Sequence, residues 1–344
     1  MDEILSTLEA HIQKGHFTHY EMVCGSLDGE KNRVREAFLP GGRVFFDLAS
    51  LTKALVTAPL VHRVLAERGL SLDVPVAQLG VFPAFPSQVL RSTARQLLEH
   101  EAGLPFWRNL WLGTLTPRGT EVGAARERLH RSVAETSGTL GAFCYDDLGY
   151  MYLAFLLERL TGASLPTLFS SLLLSLGLSR SLLSFGPLAS PSSHYIPTAY
   201  CRIRNRWLCG EAHDENAAAL GGYSGHAGLF GSGEAVEAFL QRYLSLPEAA
   251  VFCGGGDPTQ NAQKRNVCGW QAGMGLCDTP EASRLILGHQ GFTGGLFWWE
   301  PATKFYGIFL TNRTMGGRQV SWIGELRRQV FRAQYLLLQR GGQV

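Results

Sequence analysis

The chain has 344 residues, 45% hydrophobic and 17% charged, with a formal net charge of +2. It can bury a sizeable core, as one large domain or two intimate ones. Balanced charge gives no argument for nucleic acid or an anionic membrane, and no run approaches the roughly 18 apolar residues of a membrane span. From the N-terminus, Ile4, Leu8 and Ile12 share one face of a helix predicted over residues 2–14. Strand-like runs near 19–25 and 33–38 flank Asp28-Gly29, a hairpin signal. A helix then opens at Ser50 and runs to Arg68, closed by Gly69.

The middle of the chain reads as helical and loop-rich. Thr93-Ala-Arg-Gln96 has the form of a capping box. Leu148–Leu160 is a strong helix with Gly162 beyond its end, and a Ser/Leu-rich helix lies near 164–176. Residues 184–232, rich in Gly, Ser and Pro, read as long loops. These and the loops at 106–144 are expected to shape a pocket. The last third turns strand-like: Leu285-Ile-Leu-Gly288, Gly295–Trp299 and Phe305–Thr311, the last two joined by the turn Glu300–Lys304. Leu326, Val330, Ala333 and Leu337 stripe a closing helix. The arginines between Arg318 and Arg332 read as its solvated face. Strands and helices at both ends around a helical middle predict an α+β fold, its sheet built from both ends of the chain.

Met1-Asp2-Glu3 is acidic where a signal peptide is basic, so a cytoplasmic location is expected. Seven cysteines, at 24, 144, 201, 209, 253, 268 and 277, include no Cys-x-x-Cys pair and read as reduced, mostly buried thiols.

Chemistry gathers at Ser50-Leu-Thr-Lys53. Residues three apart share a helix face, so the Lys53 amine can take the proton of the Ser50 hydroxyl without a histidine. Alone, the tetrad fits equally a serine that caps a helix and a solvated lysine. Its surroundings are more specific. Phe46-Asp-Leu-Ala-Ser-Leu-Thr-Lys53 resembles the nucleophile motif of serine β-lactamases and penicillin-binding proteins, closest to the class C-like esterases and D-alanyl-D-alanine peptidases. Leu97-Leu-Glu-His-Glu-Ala-Gly-Leu-Pro105, Tyr145-Asp-Asp-Leu-Gly-Tyr150, His213-Asp214, Gly225-His-Ala-Gly-Leu-Phe230, His289-Gln-Gly-Phe-Thr-Gly294 and Leu310-Thr-Asn-Arg313 resemble further blocks of that branch, in the expected order over roughly residues 40–315.

The resemblance implies an antiparallel sheet flanked by helices with an inserted helical domain, in one β-lactamase-like unit. Its sheet part is placed at about 1–60 plus 235–344, and its helical part at about 61–234. It implies Ser50 as nucleophile, Lys53 and Tyr145 as proton carriers, the backbone N–H groups of Ser50 and Phe292 as oxyanion hole, and Asp147, His289, Gln290 and Gly291 as substrate contacts. Lys53 would have to be neutral when it acts. Read as a lone residue, Tyr145 fits a core aromatic, and Asp147 fits the N-cap of the helix that follows. Tyr-Asp-Asp also has the form of a polymerase metal motif, which the strong helix after it argues against. His289 stands where β-lactamases carry lysine, and Gln290 where a hydroxyl is usual, which argues against β-lactam turnover. His213, Asp214, His226 and His289 fit no short metal motif; His226 is expected beneath the cleft, with His213-Asp214 anchoring a loop.

The implied activity is a serine hydrolase acting on an ester or amide through an acyl-enzyme, cell-wall-derived peptides and muropeptides among the substrates, with no metal or organic cofactor. Its partner would be a small molecule or peptide, not nucleic acid or membrane. The alternative is a non-catalytic protein of the same fold that binds a ligand in the cleft.

Overall fold

The computed structural model describes residues 1–42, 44–80, 85–134, 138–186, 194–256, 264–276, 285–318 and 321–341. Its centre is a seven-stranded sheet: β1 (Tyr20–Ser26), β2 (Gly29–Phe38), β3 (Asn266–Val267), β4 (Trp270–Ala272), β5 (Leu287–Gln290), β6 (Leu296–Trp299) and β7 (Phe305–Thr311). The spatial order is β3-β4-β5-β6-β7-β1-β2, and every neighbouring pair is antiparallel. The N-terminal hairpin therefore completes a sheet begun by the C-terminal third, as Tyr20 opposite Thr311 shows.

Alternation along the strands gives the sheet two apolar faces. Met22, Leu296, Trp298 and Phe309 point to one, where α1 (Asp2–Gln13) and α2 (Trp322–Gln339) cover them with Leu8, Leu326 and Val330. Val23, Phe297, Ile308 and Leu310 point to the other, into the core shared with the helical half. The capping box at Thr93 and Gln96 forms with both bonds in place, and Gly162 closes helix Leu148–Thr161 at φ 74°.

The 184–232 region holds more regular structure than its composition predicts. Leu229–Gly231 is the middle strand of a small antiparallel sheet between Phe46–Asp47 and Leu183–Phe185, and Glu215–Ala219 is a short helix. Strands of two or three residues between glycines carry no readable period. In the same way, helix Val122–Ala134 falls within residues read as loop; its buried stripe is only Ala125, Leu129 and Val133. Cys24, Cys201 and Cys268 are buried and Cys144 is exposed, all as free thiols, and Cys209 is half-buried; Cys277 and the side chain of Cys253 lie outside the described residues. Among the described residues no helix is long and apolar enough to cross a membrane.

Candidate active site

The small sheet delivers Ser50. Phe46 and Asp47 pair with Gly231 and Phe230, and Leu48 N–H donates to Leu229 O at 2.9 Å. The chain then turns through Ala49, at φ 45°, into Ser50 and a wide helical turn, Lys53–Thr57, before the regular helix Ala58–Glu67. Thr57 Oγ1 donates to Gly225 O at 2.6 Å, clamping the Gly-His-Ala-Gly segment beneath the turn. On its other side Gly225 packs against helix Leu148–Thr161, where a Cβ would lie 2.0 Å from Tyr150 O.

Lys53 is fully buried rather than solvated. Its Nζ donates to Ser50 Oγ at 3.1 Å, Tyr145 Oη at 2.9 Å and Asp147 Oδ1 at 2.6 Å, so all three ammonium N–H bonds have acceptors. Burial alone would pull Lys53 below the ordinary lysine value, but Asp147 and then Tyr145 outweigh it and hold the pKa above that value. The resting site thus holds an ammonium, where a base needs a free amine. Burial also keeps the Tyr145 phenol protonated, against the pull of Lys53.

Asp147 occupies the N-cap position of helix Leu148–Thr161 but makes no cap bond with its side chain. Asp146 does so instead, accepting from Gly149 N–H at 2.5 Å. This division frees Asp147 for Lys53, and adjacency in sequence could not tell which aspartate would cap. Asp214 stands close by: Asp147, Asp214 and His226 each place an oxygen or nitrogen within 4.8 Å of the others. His226 Nε2 lies 2.9 Å from Asp214 Oδ1 and Nδ1 lies 3.0 Å from Ser224 Oγ. Burial would raise the Asp214 carboxyl, but His226 outweighs it and holds the group well below the usual carboxylate range. The carboxylates are thus served by Lys53 and His226, while His213 and His289 stand apart from them: His213 lies against Phe292, ring centroids 5.6 Å apart, and His289 belongs to β5.

The third motif forms the opposite wall. Gly291 N–H donates to Gly295 O at 2.8 Å, closing the turn that presents Phe292. A Cβ on Gly291 would sit 2.9 Å from Leu48 O, so the nucleophile strand and this turn touch only because the residue is glycine. Neither Ser50 N–H nor Phe292 N–H has a hydrogen-bond partner among the described residues.

His289 does not line the cleft, although its ring lies 6.4 Å from that of Tyr145. It is fully buried, Nδ1 lies 2.9 Å from Gln290 O, and burial, then Lys53, push its pKa well below the ordinary value, leaving it neutral. Gln290 does reach the cleft, yet Nε2 donates to Met274 O at 2.9 Å and Oε1 accepts from Arg327 at 3.1 Å. Both ends of its amide are occupied.

The cleft has a volume of about 520 Å³, and three arginines line it that the sequence reading had placed on a solvated helix face or left without a role: Arg313, Arg318 and Arg327. Arg327 is buried and donates to Gly291 O and Gly295 O as well as Gln290. Arg318 is paired with Glu215, at 2.5 and 3.0 Å. Arg313 stacks over the Phe292 ring at 4.5 Å; no carboxylate pairs with it among the described residues, and its Nε has no partner there. Burial and Arg318 pull Arg313 down to about 10, so it stays charged at neutral pH. Arg327 was legible in principle, since it falls on the buried stripe of Ile323, Leu326, Val330 and Phe331. A separate cavity of about 470 Å³, lined by Tyr195, Arg204 and Gly222 among others, contains none of the residues around Lys53.

Comparison with known proteins agrees with this geometry. The family model for Beta-lactamase matches residues 12–327. The chain belongs to the Beta-lactamase family. Within it, the chain is 28% identical over 311 residues to an N-acetylmuramyl-L-alanine amidase of Bacillus subtilis strain 168, covering 79% of this chain and 68% of that one. It is 26% identical over 303 residues to a putative D-alanyl-D-alanine carboxypeptidase of Escherichia coli K12, covering 78% and 69%. The class C β-lactamase of Rhodobacter sphaeroides shares the fold at a TM-score of 0.66 and 16% identity, over 98% of this chain and all of that one, 100%. The fold is the β-lactamase/transpeptidase type, and the relatives are serine hydrolases.

Proposed function

We propose that this chain is an amidase or peptidase that works through an acyl-enzyme on Ser50, taking substrates with a carboxylate near the scissile bond. The observation that carries the reading is the Lys53 ammonium bonded at once to Ser50 Oγ, Tyr145 Oη and Asp147 Oδ1.

A substrate that fills the cleft strips water from the Lys53–Asp147 pair. Moving one proton from Lys53 to Asp147 then turns a costly buried ion pair into a neutral amine and a neutral carboxyl, with no change in net charge. The amine takes the Ser50 proton as Oγ attacks the carbonyl carbon, and the oxyanion meets the N–H groups of Ser50 and Phe292. The proton passes from Lys53 through Tyr145 Oη, which touches it at 2.9 Å, to the leaving nitrogen as the C–N bond breaks. Water then attacks the acyl-enzyme, losing one proton to Lys53 and Tyr145; that proton passes to Ser50 Oγ as its bond to the acyl carbon breaks, and the Asp147 proton returns to Lys53 as product leaves.

Arg313 supports the substrate class: like Arg327 it has no carboxylate partner among the described residues, but Arg327 is held by three carbonyl oxygens whereas Arg313 lies over the Phe292 ring. The names of the amidase and carboxypeptidase relatives favour a cell-wall peptide fragment as its source. The occupied amide of Gln290 and the buried His289 argue against β-lactam turnover.

Muropeptide fragments, p-nitrophenyl esters and nitrocefin assayed side by side, together with mass labelling by a fluorophosphonate, test the reading. The expected result is an adduct on Ser50, peptide and ester turnover, and little nitrocefin turnover. No adduct, or activity unchanged in Ser50→Ala, overturns the mechanism; fast nitrocefin turnover overturns the substrate assignment.

A further inference from the structure

Asp47 is a buried carboxyl that the acylation chemistry does not use. Its Oδ1 accepts Ala49 N–H at 2.8 Å and its Oδ2 accepts His213 N–H at 2.6 Å. Its backbone carbonyl accepts the Thr293 hydroxyl at 2.6 Å. Each of these three segments ends in the site. Ala49 immediately precedes Ser50 and sits at φ 45°, a conformation that costs a residue with a Cβ and must be imposed by its surroundings. His213 immediately precedes Asp214. Thr293 immediately follows Phe292, whose N–H is the other half of the oxyanion hole.

We infer that Asp47 is a positioning residue whose carboxylate ties the turn before Ser50 to the His213 segment, fixing the Ser50 half of the oxyanion hole, and so governs the rate of acylation rather than substrate affinity. The inference rests on Ser50 being the nucleophile. Asp47 is outside the cleft wall and does not contact substrate. The ionised carboxylate accepts the two N–H groups through two charged oxygens; protonation turns one of them into a hydroxyl, a weaker acceptor whose own hydrogen then needs a partner.

The charged groups facing Asp47 are Asp214 and Arg204. Burial raises the Asp47 carboxyl to about 6; the two N–H bonds and Arg204 work against this and Asp214 adds to it. Burial holds His213 down to about 4, so its ring stays neutral through that range. Acidification through pH 6 should therefore loosen the turn before Ser50. The sign for stability is opposite. A carboxyl whose folded pKa is raised contributes stability below its unfolded pKa and loses that contribution as pH rises through the folded value. Protonating Asp47 thus removes activity without subtracting from global stability.

Asp47→Asn tests this, because it keeps shape but places an amide N–H against one backbone N–H. The expected result is a fall of about 10- to 100-fold in kcat and in Ser50 phosphonylation rate, with KM changed by no more than about threefold. Wild-type activity should also show an acid limb near pH 6 that the variant lacks. A kcat within about twofold of wild type, or an acid limb unchanged in the variant, overturns the inference. If Asp47→Asn does not fold, the wild-type pH profiles decide: an acid limb in kcat near pH 6 with KM unchanged supports the role, and a kcat flat through that range overturns it. Absence of any Ser50 adduct in wild type overturns the hydrolase reading instead, so the two failures are distinguishable.

Discussion

The two walls of the cleft treat charge in opposite ways. On the wall of Lys53, each charge has a partner: Lys53 with Asp147, and Asp214 with His226. On the wall of the third motif, Arg318 has Glu215 and Arg327 has three carbonyl oxygens, but Arg313 has the face of Phe292 and no carboxylate among the described residues. Pairing fixes where protons sit and holds side chains to one geometry, as bond-making requires. A cation left over beside a cleft costs stability until an anion arrives, which is the reason for proposing a substrate with a carboxylate.

Four substitutions probe this contrast. Ser50→Ala should lower kcat by at least about 10⁴-fold on every substrate, since it removes the proposed nucleophile and spares only binding and the proposed oxyanion hole; turnover assays with purified variant check it. Lys53→Met should cost about 10³-fold in kcat and also lower Tm, because Asp147 loses its buried partner. A variant with normal turnover would show that the paired wall is structural only. Arg313→Gln should act selectively: kcat/KM for a carboxylate-bearing peptide falls about 10- to 100-fold, while a neutral ester is hydrolysed within about twofold of wild type. Equal losses on both substrates would remove the distinction between the walls.

His226→Gln should have the smallest effect, about 1 kcal/mol of stability at neutral pH in urea unfolding. The sign follows from Asp214, whose folded pKa is depressed chiefly by His226 against the effect of burial. Its stabilisation is present above the ordinary carboxylate range and is lost as pH falls through the depressed value, so the variant should show a weaker acid dependence of stability than wild type.

The paired wall was largely legible in the sequence, and the arginine wall was not. Ser50 and Lys53 lie three residues apart, and Tyr145 stands in a block with recognisable neighbours; the fold brings all three together. The protonation state was not legible. The sequence asks only that Lys53 be neutral when it acts; at rest the structure holds it as an ammonium, because Asp146 takes the helix cap and releases Asp147. Arg313, Arg318 and Arg327 were hidden because arginine in and before a terminal helix ordinarily faces water.

The sequence by itself determined what could be encoded locally: the alternation of β1 and β5 to β7, the capping box at Thr93, the glycine that closes Leu148–Thr161, and the order of the motif blocks. Only the tertiary structure decided what depends on meetings across the chain. Asp47 meeting His213, Gly291 meeting Leu48 and Arg313 left beside the cleft without a carboxylate are such meetings. Periodicity and caps act within a few residues, whereas a buried charge takes its state from whichever partners the packed fold places around it.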